Sequence, residues 1–199
     1  MIRKVVLENF KAFEKFTVWL KGDTMLVGPN NAGKSTLIAA IRAGANMVRI
    51  AARSRATAEL DFEDGRAPAG HWFDAEQVGL VEENLRHEFH QVDTSLKIDF
   101  SDDARLEAVW PVDERGKGFF YLRHRDVNLR EPLRVRRAFP RIGLVPVLAP
   151  LEHRERILGD EHVRSNRDGR LASRHFRNQL YALQRRPSGQ RNNGLEDFK

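Results

Sequence analysis

The chain has 199 residues, of which 41% are hydrophobic and 31% charged, and its formal net charge is +6. It contains no cysteine, which excludes disulfides and cysteine-ligated metals and fits a cytosolic setting. No apolar run reaches the length of a membrane span, no signal-peptide pattern opens the chain, and the length suits one domain, of one lobe or two.

The opening segment predicts two strands. "RKVVLEN" and "KFTVWLK" are rich in β-branched and aromatic residues, and "FKAFE" joins them. The aromatics Phe10, Phe13 and Phe16 are expected to pack this hairpin. "TMLVG" then reads as a short buried strand, and Leu37, Ile38, Ile41, Ala45 and Val48 recur at helical spacing to about Arg53.

Between that strand and helix stands Gly28-Pro29-Asn30-Asn31-Ala32-Gly33-Lys34-Ser35, which fits the G-x-x-x-x-G-K-[ST] phosphate-loop pattern. Glycines let the backbone turn so that successive N–H groups face an anion, and the following helix adds its positive end. Lys34 would reach the β- and γ-phosphates as a point charge, and the Ser35 hydroxyl would meet Mg²⁺. Pro29 is compatible with a loop and not with a strand interior.

Residues 56–74 are expected to be irregular, with Gly65, Pro68 and Gly70 as breakers. "DAEQVGLVEENLRHEFH" predicts a helix with Val78, Val81, Leu85 and Phe89 on one face. "SLKIDFSD", "RLEAVWPV" and "GFFYLRHR" predict three strands, with turns at "SDDA" and "DERGKG", and so an antiparallel meander. "RIGLVPVLAP" reads as a further apolar strand. "LEHRERIL" and "RNQLYALQRR" read as helical, the latter with Phe176, Leu180 and Leu183 on one side, and the tail from Pro187 is polar. The expected organisation is a nucleotide-binding lobe over 1–150, the start of a helical lobe over 151–186, and a flexible tail over 187–199.

Arginine carries most of the positive charge. Arg123, Arg125, Arg130, Arg134, Arg136, Arg137 and Arg141 face only Asp126 and Glu131 within residues 123–141, and a second basic stretch runs from Arg164 to Arg186. Nucleic-acid phosphates, a solvated surface and a subunit interface are all compatible with such stretches.

The start "VVLENFKAFEKFTVWLKGDTMLVGPNNAGKSTLI" resembles the ATP-binding heads of the RecF, SMC and Rad50 group, and is most similar to ATPases of the overcoming-lysogenization-defect type and their AAA-labelled bacterial relatives. The resemblance rests on Asn9-Phe10-Lys11 at a hairpin turn and on the Gly28–Ser35 loop. "PLEHRERIL" and "SRHFRNQLY" also look like segments of those ATPases. It implies an α/β phosphate-loop NTPase with an antiparallel β lobe, an ABC-type head that binds ATP and Mg²⁺ and works as a head-to-head dimer in DNA repair or phage defence. By that analogy Asn30, Asn31 and Ala32 supply loop contacts, Thr36 binds the α-phosphate, and Lys11 lies near the nucleotide. A solvated turn lysine is the other reading of Lys11.

Hydrolysis in such heads also needs a strand-end acid for Mg²⁺, a hinge glutamine and a Ser-Gly signature. Asp99 in "LKIDF" lies mid-strand and reads as an edge-strand acid. Glu152 stands where the glutamine is expected, and Glu152 and Glu155 both read as helix-surface carboxylates. "RPSGQR" has a preceding Pro187 and no amphipathic helix after it. The expectation is therefore a head incomplete at its C-terminus, or a nucleotide-binding module without turnover of its own. His87 and His90, beside Glu83 and Glu88, miss the H-E-x-x-H spacing and read as a solvated face. A GTPase would carry Asn-Lys-x-Asp and a kinase an arginine-bearing lid, and neither occurs.

Overall fold

The computed structural model describes residues 1–62, 65, 66, 68–114, 116–140, 142, 143, 156–159 and 178. Two compact units divide the chain, Met1–Ile142 and Gly143–Lys199.

In the first unit, β1 (Ile2–Phe10) and β2 (Phe13–Trp19) form the expected hairpin, closed by the Phe10–Phe13 pair. The expected meander follows as β6 (Thr94–Phe100), β7 (Arg105–Trp110) and β8 (Lys117–Arg123). Asp102 and Asp103 turn the first corner with φ of 68° and 55°, and Gly116 turns the second with φ of 69°. Left-handed backbone is least costly for Gly, Asp and Asn, so both corners use residues suited to it.

Between these ladders lie a small hairpin, β3 (Asp61–Phe62) and β4 (Gly65–Arg66), and β5 (His71–Asp74). All pairings are antiparallel, and the large sheet has the order β2-β1-β6-β7-β8-β5. β5 falls inside the stretch expected to be irregular. It is only four residues long and its partner, β8, lies far along the chain.

Alternation separates the two faces of the sheet. Val5, Leu7, Leu96, Ile98, Leu106 and Phe120 point into the core, where α1 (Lys34–Ala51) covers them. The opposite face carries matched charges: Asp99 pairs with Arg105, and Glu8 meets Lys15 at 3.9 Å and accepts from Ser95 Oγ at 3.1 Å. There Tyr121 also donates to Glu107 at 2.9 Å, and burial beside that carboxylate pushes its phenol up to about 12. A second apolar cluster, Val109, Phe119 and Tyr121, lies under Ala58 and Leu60.

The buried stripe of α1 is Leu37, Ala40, Gly44, Met47 and Ala51, whereas Ile38 is 43% exposed. The apolar period is therefore real: Leu37 and Ala45 are buried as expected, Ile38 is not, and the small residues Ala40, Ala43, Gly44 and Ala51 complete the buried face. Small residues let the helix approach the sheet closely: a Cβ on Gly44 would lie 2.4 Å from Ile98 Cδ1. Arg136, on the short α2 (Pro132–Ala138), donates from Nε to Ala52 O at 2.8 Å and so satisfies a carbonyl at the end of α1.

Two expectations are corrected. "TMLVG" forms no strand; Met25 and Val27 are 86% and 85% exposed. An apolar strand exists only if a neighbour pairs its backbone, and among the described residues no strand pairs with this stretch. The helix expected over 74–90 is three separate 3-10 turns, Ala75–Val78, Glu82–Asn84 and His87–Phe89. Gly79 ends the first with φ of 78°, and Glu88 and Phe89 have φ of 46° and 60°, which no α-helix accommodates. The segments "RIGLVPVLAP", "LEHRERIL" and "RNQLYALQRR" lie outside the described residues, apart from isolated positions.

Of the second unit, Asn178 is described beside Arg156–Gly159. Its side chain accepts from Leu158 N at 2.8 Å and donates to Arg156 O at 2.8 Å.

Two outcomes test this packing. Gly44→Ala should cost about 1–3 kcal/mol by overpacking against Ile98. In an Ile98→Val background, which removes Cδ1, the same change should become neutral or stabilising through the better helix propensity of Ala. Denaturant unfolding of the four proteins checks it. His71, stacked on Phe120 at 4.9 Å with Nδ1 3.4 Å from Ser54 Oγ, has its pKa lowered from the ordinary 6.5 by burial. The unfolded chain therefore takes up the proton first, so this contribution is full above pH 6.5 and declines below it. Melting temperature between pH 7.5 and 5.5 should fall more steeply in the wild type than in His71→Gln.

Candidate nucleotide-binding site

The loop Gly28–Gly33 turns directly into the first turn of α1. Asn31 and Gly33 take left-handed φ of 67° and 80°, and Ala32 N donates to Pro29 O at 3.3 Å. Gly33 is fixed twice over. Its φ suits glycine, and a Cβ there would sit 2.1 Å from Phe13 Cζ. Phe13 in turn stacks on Phe16, with centroids 4.1 Å apart and planes 11° from parallel.

α1 begins with no side-chain cap and no acidic residue in its first turn. Its positive end and the backbone N–H groups of its first turn therefore face the loop without a negative side chain of the helix to neutralise them. Gly28, Pro29, Asn30, Asn31 and Ala32 are all exposed, as is Ser35 in the first turn, while Thr36 is buried. Lys34 folds back over the loop, its Nζ donating to Gly28 O at 2.7 Å and to Pro29 O at 2.6 Å. The Gly28–Thr36 stretch thus forms one contiguous, open cradle. Two grooves, one lined by Trp72, Asp74 and Lys117 and one by Glu83, Arg86 and Phe89, include no residue of this loop.

Lys11 is held at the hairpin turn with φ of 51°. Its Nζ donates to Asn84 O at 3.0 Å, its N–H to Leu85 O at 2.8 Å, and its carbonyl accepts from His87 Nδ1 at 2.9 Å. Asn9, with φ of 49°, locks the same turn: Oδ1 accepts from His87 N at 3.2 Å and Nδ2 donates to Val92 O at 2.8 Å. Phe10 is fully buried and packs on Trp110, with centroids 6.0 Å apart. The Asn9-Phe10-Lys11 turn is therefore riveted to residues 84–92, and it presents Phe13 to the loop.

A sequence model of the AAA ATPase domain matches residues 1–108, which include the hairpin, the loop, α1 and β6. The chain belongs to the AAA ATPase domain family. No curated protein matches it.

The remaining candidates of this AAA ATPase domain do not gather at the loop. Asp99 is committed to Arg105 across the β6–β7 ladder. Glu152 and Glu155 lie outside the described residues. His87 serves the turn, His90 Nε2 lies 3.8 Å from Glu88, and no metal-ligand cluster occurs among the described residues. Sequence reasoning assigned Phe13 only to hairpin packing. The available signal was its position three residues before Phe16 on a hairpin that leads into a glycine-bounded loop.

Asn9→Ala should cost about 2–4 kcal/mol, because it removes two side-chain hydrogen bonds and leaves alanine in a left-handed conformation. Urea unfolding checks this, and Asn9→Gly, which relieves only the backbone, should recover part of the loss.

Proposed function

We propose that the Gly28–Thr36 cradle binds the phosphates of ATP with Mg²⁺, and that the chain is a phosphate-loop ATPase head of the ABC type. The observation that carries this is the turn itself. A left-handed glycine leads into an uncapped 18-residue helix, with a lysine folded over the loop mouth, in a chain of the AAA ATPase domain family. The residues fit the ligand. The backbone N–H groups of the loop and first turn suit phosphate oxygens, and Asn30, Asn31 and Ala32 border them. Thr36 is the residue for the α-phosphate.

Binding would replace the two carbonyl acceptors of Lys34 by β- and γ-phosphate oxygens. These bonds are charge-assisted on both sides and stronger than ammonium–carbonyl bonds in the same geometry. Mg²⁺, held through the Ser35 hydroxyl, would supply charge neutralisation to the phosphates. Lys11 stays a candidate contact, with its Nζ now on the Asn84 carbonyl.

A second reading is a nucleotide-binding module without turnover of its own. It is favoured by the Asp99–Arg105 pair, which occupies the one strand acid weighed for Mg²⁺, and by the exposed Met25–Val27 segment beside the loop, with which no strand pairs among the described residues. Both readings accommodate a head-to-head dimer, membership of the RecF, SMC and Rad50 group, and work in DNA repair or phage defence. Arg134 and Arg137 on α2 are candidate DNA-phosphate contacts, whereas Arg136 is committed to Ala52. Among the described residues no helix is long and apolar enough to cross a membrane.

The test is Mg·ATP binding by calorimetry and phosphate release, with Lys34→Ala beside the wild type. Loss of at least tenfold in affinity on substitution supports the site. Equal binding by both proteins refutes it, and Lys34-dependent turnover rejects the second reading.

A further inference from the structure

We infer that Phe13 is a positioning residue for the phosphate loop: its ring tip holds Gly33 in the left-handed turn and couples the β1–β2 hairpin to the start of α1. The inference rests on the nucleotide-binding reading above, and adds to it how the site is held in shape and by what it can be altered.

Gly33 is the hinge of the cradle. Its carbonyl accepts the first helical bond, from Leu37 N at 3.0 Å, while its φ of 80° sets the direction in which the loop leaves the helix. Three atoms of Phe13, Cζ, Cε1 and Cε2, lie 2.1, 2.7 and 2.9 Å from where a Cβ of Gly33 would be, and they are the nearest atoms to that point. The ring therefore fills the space that the missing side chain leaves. Rotation of Gly33 toward right-handed φ would turn its backbone against this ring, which Phe16 backs by stacking flat on it.

The ring is backed by a stiff frame. β1 and β2 pair from Lys4–Trp19 to Phe10–Phe13, and the turn between them is tied to Asn84, Leu85 and His87 by the three Lys11 bonds. Asn9 adds bonds to His87 and Val92. A displacement of residues 84–92 is thus transmitted through the hairpin turn to Phe13, and from its ring tip to Gly33. This gives the phosphate loop a mechanical input that is separate from its own glycines.

The same contact explains why the hairpin precedes the loop so closely in the chain. Only Leu20–Ala32 separates β2 from Gly33, and all of Lys21–Ala32 is exposed. With no buried residue in that connection to fix it, Phe13 supplies the loop with a wall from the rigid part of the fold.

The experiment uses the whole chain in four forms: wild type, Lys34→Ala, Phe13→Ala and Phe13→Leu. Amide hydrogen exchange without nucleotide is followed at residues 37–40, the first hydrogen-bonded amides of α1, at the hairpin and at β6–β8, and Mg·ATP affinity is then measured. Phe13→Ala should accelerate exchange at residues 37–40 at least fivefold, with β1 and β6–β8 within twofold of wild type, and should weaken Mg·ATP at least fivefold. Phe13→Leu, which keeps an apolar tip against Gly33, should recover most of both effects. Unchanged exchange at residues 37–40 in Phe13→Ala overturns the inference. So does acceleration spread equally over the hairpin and loop, since that marks general packing. If the wild type itself fails to bind Mg·ATP in a Lys34-dependent way, the nucleotide reading falls, while the exchange comparison still decides whether Phe13 holds the loop.

Discussion

The close approach of α1 to the β1–β6 ladder is the constraint on which the other features depend. A helix carrying large aliphatic residues at every inner position would stand further from the sheet. Gly44, Ala40 and Ala51 bring it in, and Ile98, Leu96, Val5 and Leu7 fill the space between. That approach fixes the height of the helix N-terminus over the sheet. It therefore also fixes where Gly33 meets the hairpin. The Arg136 bond to Ala52 secures the other end of the helix, so α1 is tied to the unit at both termini.

The hairpin turn is the second fixed point, and polar groups hold it more than packing does. Asn9 and Lys11 are both left-handed, a conformation that costs a non-glycine residue about 1–2 kcal/mol. The bonds of Asn9 to His87 and Val92, and of Lys11 to Asn84, Leu85 and His87, offset that cost. Such a turn is over-determined, and over-determined turns are stiff enough to transmit force. The three short 3-10 turns of residues 75–89 supply the carbonyls and amides that a regular helix would have used internally.

The hairpin, the meander, its corners and α1 were legible because each is encoded locally. Alternation in "SLKIDF", turn chemistry in "SDDA" and the 3.6-residue period after Gly33 do not depend on distant partners. What was illegible depends on such partners. Met25–Val27 has strand composition, but composition cannot supply the neighbouring backbone. β5 pairs with a strand more than forty positions away and is too short to show alternation. The segment 74–90 matches a helical stripe, yet Gly79, Glu88 and Phe89 break it in favour of contacts to the hairpin turn. At the loop, the turn of Gly28–Gly33 into α1 was legible by spacing alone. The part played by Phe13 was not, because it arises from β2 and the helix start meeting in space.

On the proposed nucleotide-binding reading, the position of Lys34 bears on what the loop can select. An ammonium needs acceptors, and here it takes two carbonyls of its own loop at 2.7 and 2.6 Å. A ligand must therefore better two bonds that are already charge-assisted on one side. A neutral ligand offers no gain over carbonyl oxygens. A phosphate chain offers anionic oxygens to Lys34 and, simultaneously, to the N–H groups at the start of α1. A single phosphate group has fewer oxygens to divide between the two. On that proposed reading, the self-contact of Lys34 would act as a threshold that favours a di- or triphosphate over smaller anions, through the same backbone turn at Gly33.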